Sequence, residues 1–145
     1  MNQNGLNQIL TKYKTIAVVG LSRDPLKDSY RVAEYLKENG FHIVPINPFV
    51  EKILGEKSYR SLINMPAEVQ KTLEVVDVFR PPQDVPFIVE QAVQLKKVHG
   101  RPYVVWMQLG IVNEQAAETA RTAGLTVVMD KCIMREHRRL IGDQT

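Results

Sequence analysis

The sequence predicts an α/β fold: a doubly wound parallel sheet of five strands with helices on both faces, in a single domain spanning residues 1–145. Three observations carry that prediction. Apolar, β-branched runs alternate with helical patterns along almost the whole chain, the sequence sign of βαβ units and a parallel sheet. Most of those runs lack polar alternation, as strands covered on both faces do. Finally, 145 residues suit one domain, and a domain of that size buries roughly two-thirds of the surface its unfolded chain exposes.

Five apolar runs mark the strands: residues 15–20 (TIAVVG), 41–46 (FHIVPI), 75–79 (VVDVF), 103–107 (YVVWM) and 126–129 (TVVM). Before them, Leu6, Ile9, Leu10 and Tyr13 recur at helical spacing and predict a short leading helix. Between the first two runs, Val32, Ala33, Tyr35 and Leu36 form the apolar stripe of a crossover helix, with Ser29 as its expected N-cap and Gly40 as its left-handed stop. Asp84 opens the next helix, whose Val85, Ile88, Val89, Ala92 and Val93 share one face, and Gly100 and Pro102 follow its end. Asn113 is placed to cap a third helix that carries Glu114 in its first turn and stops before Gly124. Met134, His137, Leu140 and Ile141 predict a closing helix. The pattern is Rossmann-like, and in such sheets ligands sit beyond the carboxyl ends of the strands, where the strand order reverses.

Composition narrows the function classes. The chain is 44% hydrophobic and 24% charged, ordinary values for a globular domain. No apolar run approaches the roughly 18 residues of a membrane span. The N-terminus, MNQNGLNQILTKYK, lacks the layout of a secretory signal, and the one cysteine, Cys132, has no partner for an internal disulfide, so a cytoplasmic location is expected. The net charge of +3 is a mild excess. It suits a small anionic ligand better than nucleic acid or a membrane surface, although Arg135, Arg138 and Arg139 gather near the C-terminus on what reads as a solvated helix face.

The segment from Gly20 to Ser29 (GLSRDPLKDS) joins the first strand to the first crossover helix, the position of a phosphate-binding turn. Unpaired N–H groups and the positive end of a helix dipole favour an anion there, and Ser22, Arg23, Lys27 and Ser29 add hydroxyl and cationic donors. The dinucleotide fingerprint G-x-G-x-x-G is incomplete, because Ser22 and Pro25 stand where its second and third glycines would be. After the second strand, NAD sites carry an acidic residue that accepts from the ribose hydroxyls. This chain has Asn47-Pro48, with Lys52 nearby, which would tolerate a ribose bearing a phosphate. Coenzyme A and NADP both satisfy that condition.

The ordered segments IAVVGLSRDPLKDSYRVAEYL, IVPINPFVEKILGEKSYRSL, VVDVFRPPQDVPFIVEQA and VVWMQLGIVNEQAAETARTAGLTVVMDKC, followed by EH, resemble the stand-alone CoA-binding proteins. The domain of those proteins is similar to the N-terminal domain of the succinyl-CoA synthetase α subunit. The resemblance implies coenzyme A spread over the carboxyl edge of the sheet. Ser22, Arg23, Asp24 and Pro25, with Gly20, would border the pantetheine and phosphates, and Lys27 would meet a phosphate. Asn47 and Pro48 would lie beside the adenosine, and Phe79, Arg80 and Pro81 would form the facing wall. The synthetase's phosphorylated histidine belongs to a second domain, and this chain stops where the CoA-binding domain stops. The expectation is therefore a binding, carrier or sensor protein for CoA or acyl-CoA without its own catalysis, working with a protein partner or as a homo-oligomer.

Alternatives rest on fewer residues. An NADP-binding oxidoreductase or redox sensor would use the same sheet, but no proton donor for hydride chemistry stands out. Gln108 follows the fourth strand and is placed to hydrogen-bond the pantetheine amides, whereas Trp106 and Met107 read as core. His42, His99 and His137 have no metal-ligand spacing, and each reads as structural, His99 at a helix end. Cys132 reads first as a small buried residue; a CoA-dependent transferase or a mixed disulfide with CoA would need it at the ligand edge. A Cys132–His137 pair is disfavoured, since five residues along a helix turn through about 140°.

Overall fold

The computed structural model describes residues 1–142, so 143–145 of the expected domain span lie outside it. The chain runs α1 (Gln3–Lys12), β1 (Thr15–Val19), α2 (Asp28–Glu38), β2 (His42–Ile46), β3 (Lys52–Ile53), β4 (Glu56–Lys57), α3 (Ala67–Gln70), β5 (Val75–Val78), α4 (Val85–His99), β6 (Val104–Met107), α5 (Glu114–Thr122), β7 (Thr126–Val128) and α6 (Ile133–Leu140). The five expected strands form one sheet in the order β2-β1-β5-β6-β7. Every pairing in it is parallel.

Both faces of the sheet are covered, which is why the strands carry apolar residues at consecutive positions. On one side Ile16, Val18, Val104 and Trp106 pack against Leu6, Leu36 and Ile133 of α1, α2 and α6. On the other, Ala17, Val76, Val105 and Met107 meet Val89 and Ala117 of α4 and α5. Trp106 and Met107 are core residues, as expected, and the indole N–H of Trp106 donates to the Lys131 carbonyl at 2.7 Å.

The strands are shorter than the apolar runs, because the flanking residues have left the ladder; Gly20, with φ 90°, begins the turn after β1. Asn113 caps α5 through its side chain, accepting from the Ala116 N–H at 2.9 Å. Gly100 ends α4 in the left-handed conformation. One expectation needs correction. Ser29 is not the cap of α2: Lys27 holds that position, and Ser29 lies inside the helix with its hydroxyl turned back to accept from the Ser22 N–H at 3.0 Å. The region between β2 and β5 contains the antiparallel hairpin β3-β4, turned by Leu54 and Gly55, both at positive φ.

Candidate functional site

The chain crosses from β1 to β2 on one side and then places β5 on the other side of β1, so the order reverses at β1 and a crevice opens above the ends of β1 and β5. The turns after those strands touch. A Cβ built on Gly20 would stand 2.5 Å from the carbonyl oxygen of Phe79, so glycine is what allows the contact. The Gly20 N–H donates to the Ile46 carbonyl at 3.0 Å, joining the end of β2 as well.

The turn after Gly20 is folded upon its own side chains. The Ser22 hydroxyl accepts from the Asp24 N–H and the Asp24 carboxylate from the Leu26 N–H, each at 3.0 Å. The Lys27 N–H donates to the Asp24 carbonyl. These N–H groups are occupied within the turn. The open donors lie one step further on, because α2 has no side-chain cap. The N–H groups of Asp28, Ser29 and Tyr30 have no acceptor among the described residues.

Two clefts lie along this edge and share Arg80. The first, about 800 Å³, runs between α2 and α6; the buried Gln108 and Cys132 line it together with Phe79, Pro81 and the exposed Arg135 and Arg138. The second, about 600 Å³, lies on the β2 side of Arg80 and is bordered by Gly20, Ser22, Asn47, Pro48 and Arg60. The Arg80 guanidinium is held between them by Asp84, which accepts from Nη2 at 2.8 Å and Nε at 3.2 Å. Arg23, Asp24, Pro25 and Lys27 line neither cleft; Arg23, Pro25 and Lys27 are exposed.

Asn47 borders the second cleft with its side chain already engaged. Its Nδ2 donates to the Leu21 carbonyl at 2.9 Å, and its Oδ1 accepts from the Phe49 N–H at 2.7 Å. Lys52 is not the cation at this cleft: it pairs with Lys57 across the hairpin and lines a separate hollow. Arg60 is there instead, brought in because Tyr59 bridges to Ile46 beside the end of β2. Phe49 and Phe87, both strongly exposed, add aromatic rings to the rim. No local periodicity in KSYRSL pointed to Arg60.

Asp77 also escaped the sequence reading, masked by the apolar run VVDVF. It is 0% exposed, neither carboxylate oxygen has a hydrogen-bond partner, and burial pushes its pKa well above the ordinary aspartate value. Its register neighbours are Val18 and Trp106. As strand residues two apart share a face, it lies one step below Phe79 at the edge of the first cleft.

The candidate chemical groups are placed as follows. His137 is buried, with Nδ1 2.8 Å from the Tyr35 hydroxyl and its ring edge-on to Phe41. It makes no pair with Cys132. His99 closes α4 with Nε2 2.9 Å from Oε1 of Gln70, and His42 begins β2 at the opposite edge of the sheet from the clefts. Gln108 is 4% exposed, and its Oε1 accepts from the Ile133 N–H at 3.1 Å. Among the described residues no group of three His, Cys, Asp or Glu side chains could hold a metal ion, and no helix is long and apolar enough to cross a membrane.

Comparison with known proteins converges on one family. Over 132 residues, 91% of each chain, the sequence is 35% identical to the uncharacterized protein YneT of Bacillus subtilis (strain 168). It is 36% identical over 83 residues to the ADP-forming acetate–CoA ligase II of Archaeoglobus fulgidus, a stretch covering 56% of this chain and 12% of the ligase. The solved structure of a hypothetical protein from Pyrococcus horikoshii OT3 superposes with a TM-score of 0.88 at 39% identity, covering 98% of this chain and 94% of that one. The fold expected from the sequence is the fold of these neighbours. The model of the CoA binding domain matches residues 14–138, from the start of β1 into α6, and the chain belongs to that family.

Proposed function

We propose that this chain binds coenzyme A or acyl-CoA along the carboxyl edge of its sheet, as a stand-alone carrier or sensor that does not itself catalyse a reaction. The observation that carries the reading is the pair of clefts meeting at Arg80 beside the uncapped start of α2. A ligand with an anionic centre and two dissimilar arms fits that layout. The diphosphate would lie at the free N–H groups of α2, next to Gly20, Ser22 and Lys27, with Arg23, Asp24 and Pro25 shaping the turn. The adenosine would occupy the second cleft beside Asn47 and Pro48, with Arg60 facing its ribose phosphate. The pantetheine would run past Phe79, Arg80 and Pro81 towards Gln108.

The non-catalytic part of the proposal is supported by the histidines, two of which are paired structurally while the third lies at the far edge. A cytoplasmic setting, and a protein partner or second copy that reads occupancy, belong to the same proposal. Thermal unfolding with CoA, dephospho-CoA, NAD and NADP tests it. A ligand at about 100 times its dissociation constant stabilises by roughly 2.7 kcal/mol, and CoA is expected to give the largest shift. A shift with NADP and none with CoA would favour the oxidoreductase reading and refute this one.

A further inference from the structure

We propose that Cys132 is a thiol–disulfide exchange site for the sulfur of the bound ligand, so that oxidation converts reversible CoA binding into covalent capture. The inference rests on the CoA-binding reading and adds a redox control to it.

Three observations place the sulfurs together. Cys132, 9% exposed, lines the first cleft just before α6, and it is the chain's one cysteine. Gln108 lines the same cleft while being nine-tenths buried. Its Oε1 is fixed by the Ile133 N–H, which orients the amide, and its Nε2 has no hydrogen-bond partner among the described residues. Because Gln108 lines the cleft, that N–H donor is available to a ligand bound there. A buried donor left unpaired in a cleft is suited to an amide carbonyl of the ligand.

The third observation is length. From the end of β1, where the phosphates would sit, to the end of β7, which leads to Cys132, the sheet spans three strand intervals. At about 4.8 Å each, that is roughly 14 Å. The pantetheine arm has about twelve bonds between its phosphate ester oxygen and its sulfur, the length of about four extended residues, or again roughly 14 Å. An arm leaving the Gly20 turn and crossing the ends of β5 and β6 passes Gln108 and delivers its sulfur to Cys132.

The reaction balances with CoA disulfide as oxidant. The Cys132 thiolate attacks one sulfur of CoA–S–S–CoA, the S–S bond breaks, a Cys132–S–S–CoA bond forms, and one CoA thiolate leaves and takes a proton from water. Excess dithiol reverses it. Glutathione disulfide supplies the same chemistry without the adenosine and phosphates that would dock the reagent.

The test mixes reduced, reductant-free protein with CoA disulfide or, separately, with an equal concentration of glutathione disulfide, and follows adducts by intact-mass and peptide mass spectrometry. The expected result is one CoA adduct on Cys132, formed at least about tenfold faster than the glutathione adduct because docking makes the exchange effectively intramolecular. Dithiothreitol should remove it. Gln108→Glu keeps the acceptor for Ile133 and loses the donor, and it should shrink the preference for CoA disulfide. Equal rates, or no adduct, overturn the inference. Thermal shifts with reduced CoA on wild type and Cys132→Ser separate the two failures. Stabilisation of both proteins without a selective adduct refutes the role of Cys132 and leaves CoA binding standing; stabilisation of neither refutes CoA binding and this inference with it.

Discussion

The side-chain amide of Asn47 donates to the backbone carbonyl of Leu21 at 2.9 Å, tying the loop after β2 to the turn after β1. Two walls of the second cleft are therefore held in register by one side chain, whose oxygen also shapes its own loop through Phe49. Asn47→Asp keeps that oxygen but turns an acceptor towards an acceptor at Leu21, and it adds a negative charge where the ribose phosphate is proposed. Stability is expected to fall by about 1–3 kcal/mol. CoA affinity should fall more than dephospho-CoA affinity, as read by calorimetric titration. Equal losses for the two ligands would mean that the phosphate lies elsewhere.

Gly20→Ala tests the contact between the turns. The residue has φ 90°, and the new Cβ would meet the Phe79 carbonyl at 2.5 Å, a backbone atom with no freedom to rotate away. Strain and clash together should cost about 2–4 kcal/mol in chemical unfolding. Because the turn itself shifts, CoA should bind more weakly to the protein that remains folded.

Arg60 and Lys27 are expected to report on different parts of the ligand. Arg60 borders the second cleft, so Arg60→Ala should weaken CoA about tenfold while affecting dephospho-CoA less. Lys27 stands at the start of α2, so Lys27→Ala should weaken CoA more than pantetheine, which lacks the phosphates. Equal effects of Lys27→Ala on both ligands would remove its phosphate role. Competition binding against a fluorescent CoA derivative measures both comparisons.

Asp77 makes stability depend on pH. Its folded-state pKa is raised by burial, so the folded protein keeps a proton that the unfolded chain gives up. Stability is then fully present below the ordinary aspartate range. It declines as pH rises from there to the folded-state pKa, by up to about 1.4 kcal/mol per pH unit. Asp77→Asn should remove this contribution to the slope, and Asp77→Leu should stabilise the protein at neutral pH by replacing an unpaired buried acid with an apolar group. Urea unfolding between acid and neutral pH tests both; a slope unchanged in Asp77→Asn would show that other groups produce it.

The fold was legible because its signals are local. The apolar runs, the Asn113 cap and the stop at Gly100 each follow from residues a few positions apart. Much of the candidate site was legible too, since the rule that ligands gather at strand carboxyl ends selects Gly20, Asn47, Phe79 and Gln108 without coordinates. Ser29 misled the reading because a serine before an apolar stripe is a cap by local rules, and its hydroxyl was claimed by Ser22 instead. Asp77 was hidden because the apolar run around it reads as a strand whether or not one residue is ionisable.

By itself, then, the sequence determined the alternation of strands and helices, the family, and the sheet edge along which the two clefts lie. These follow from side-chain period and motif order, which are properties of neighbouring residues. Only the tertiary structure decided that Arg60 rather than Lys52 stands at the Asn47 cleft, that Arg80 borders two clefts, and that the turn's own side chains occupy its N–H groups while those of α2 remain open. The physical reason is the strand order. Placing β5 beside β1 brings Phe79 against Gly20, and the bridge from Tyr59 to Ile46 carries Arg60 to the same crevice, contacts between residues that no period in the sequence connects.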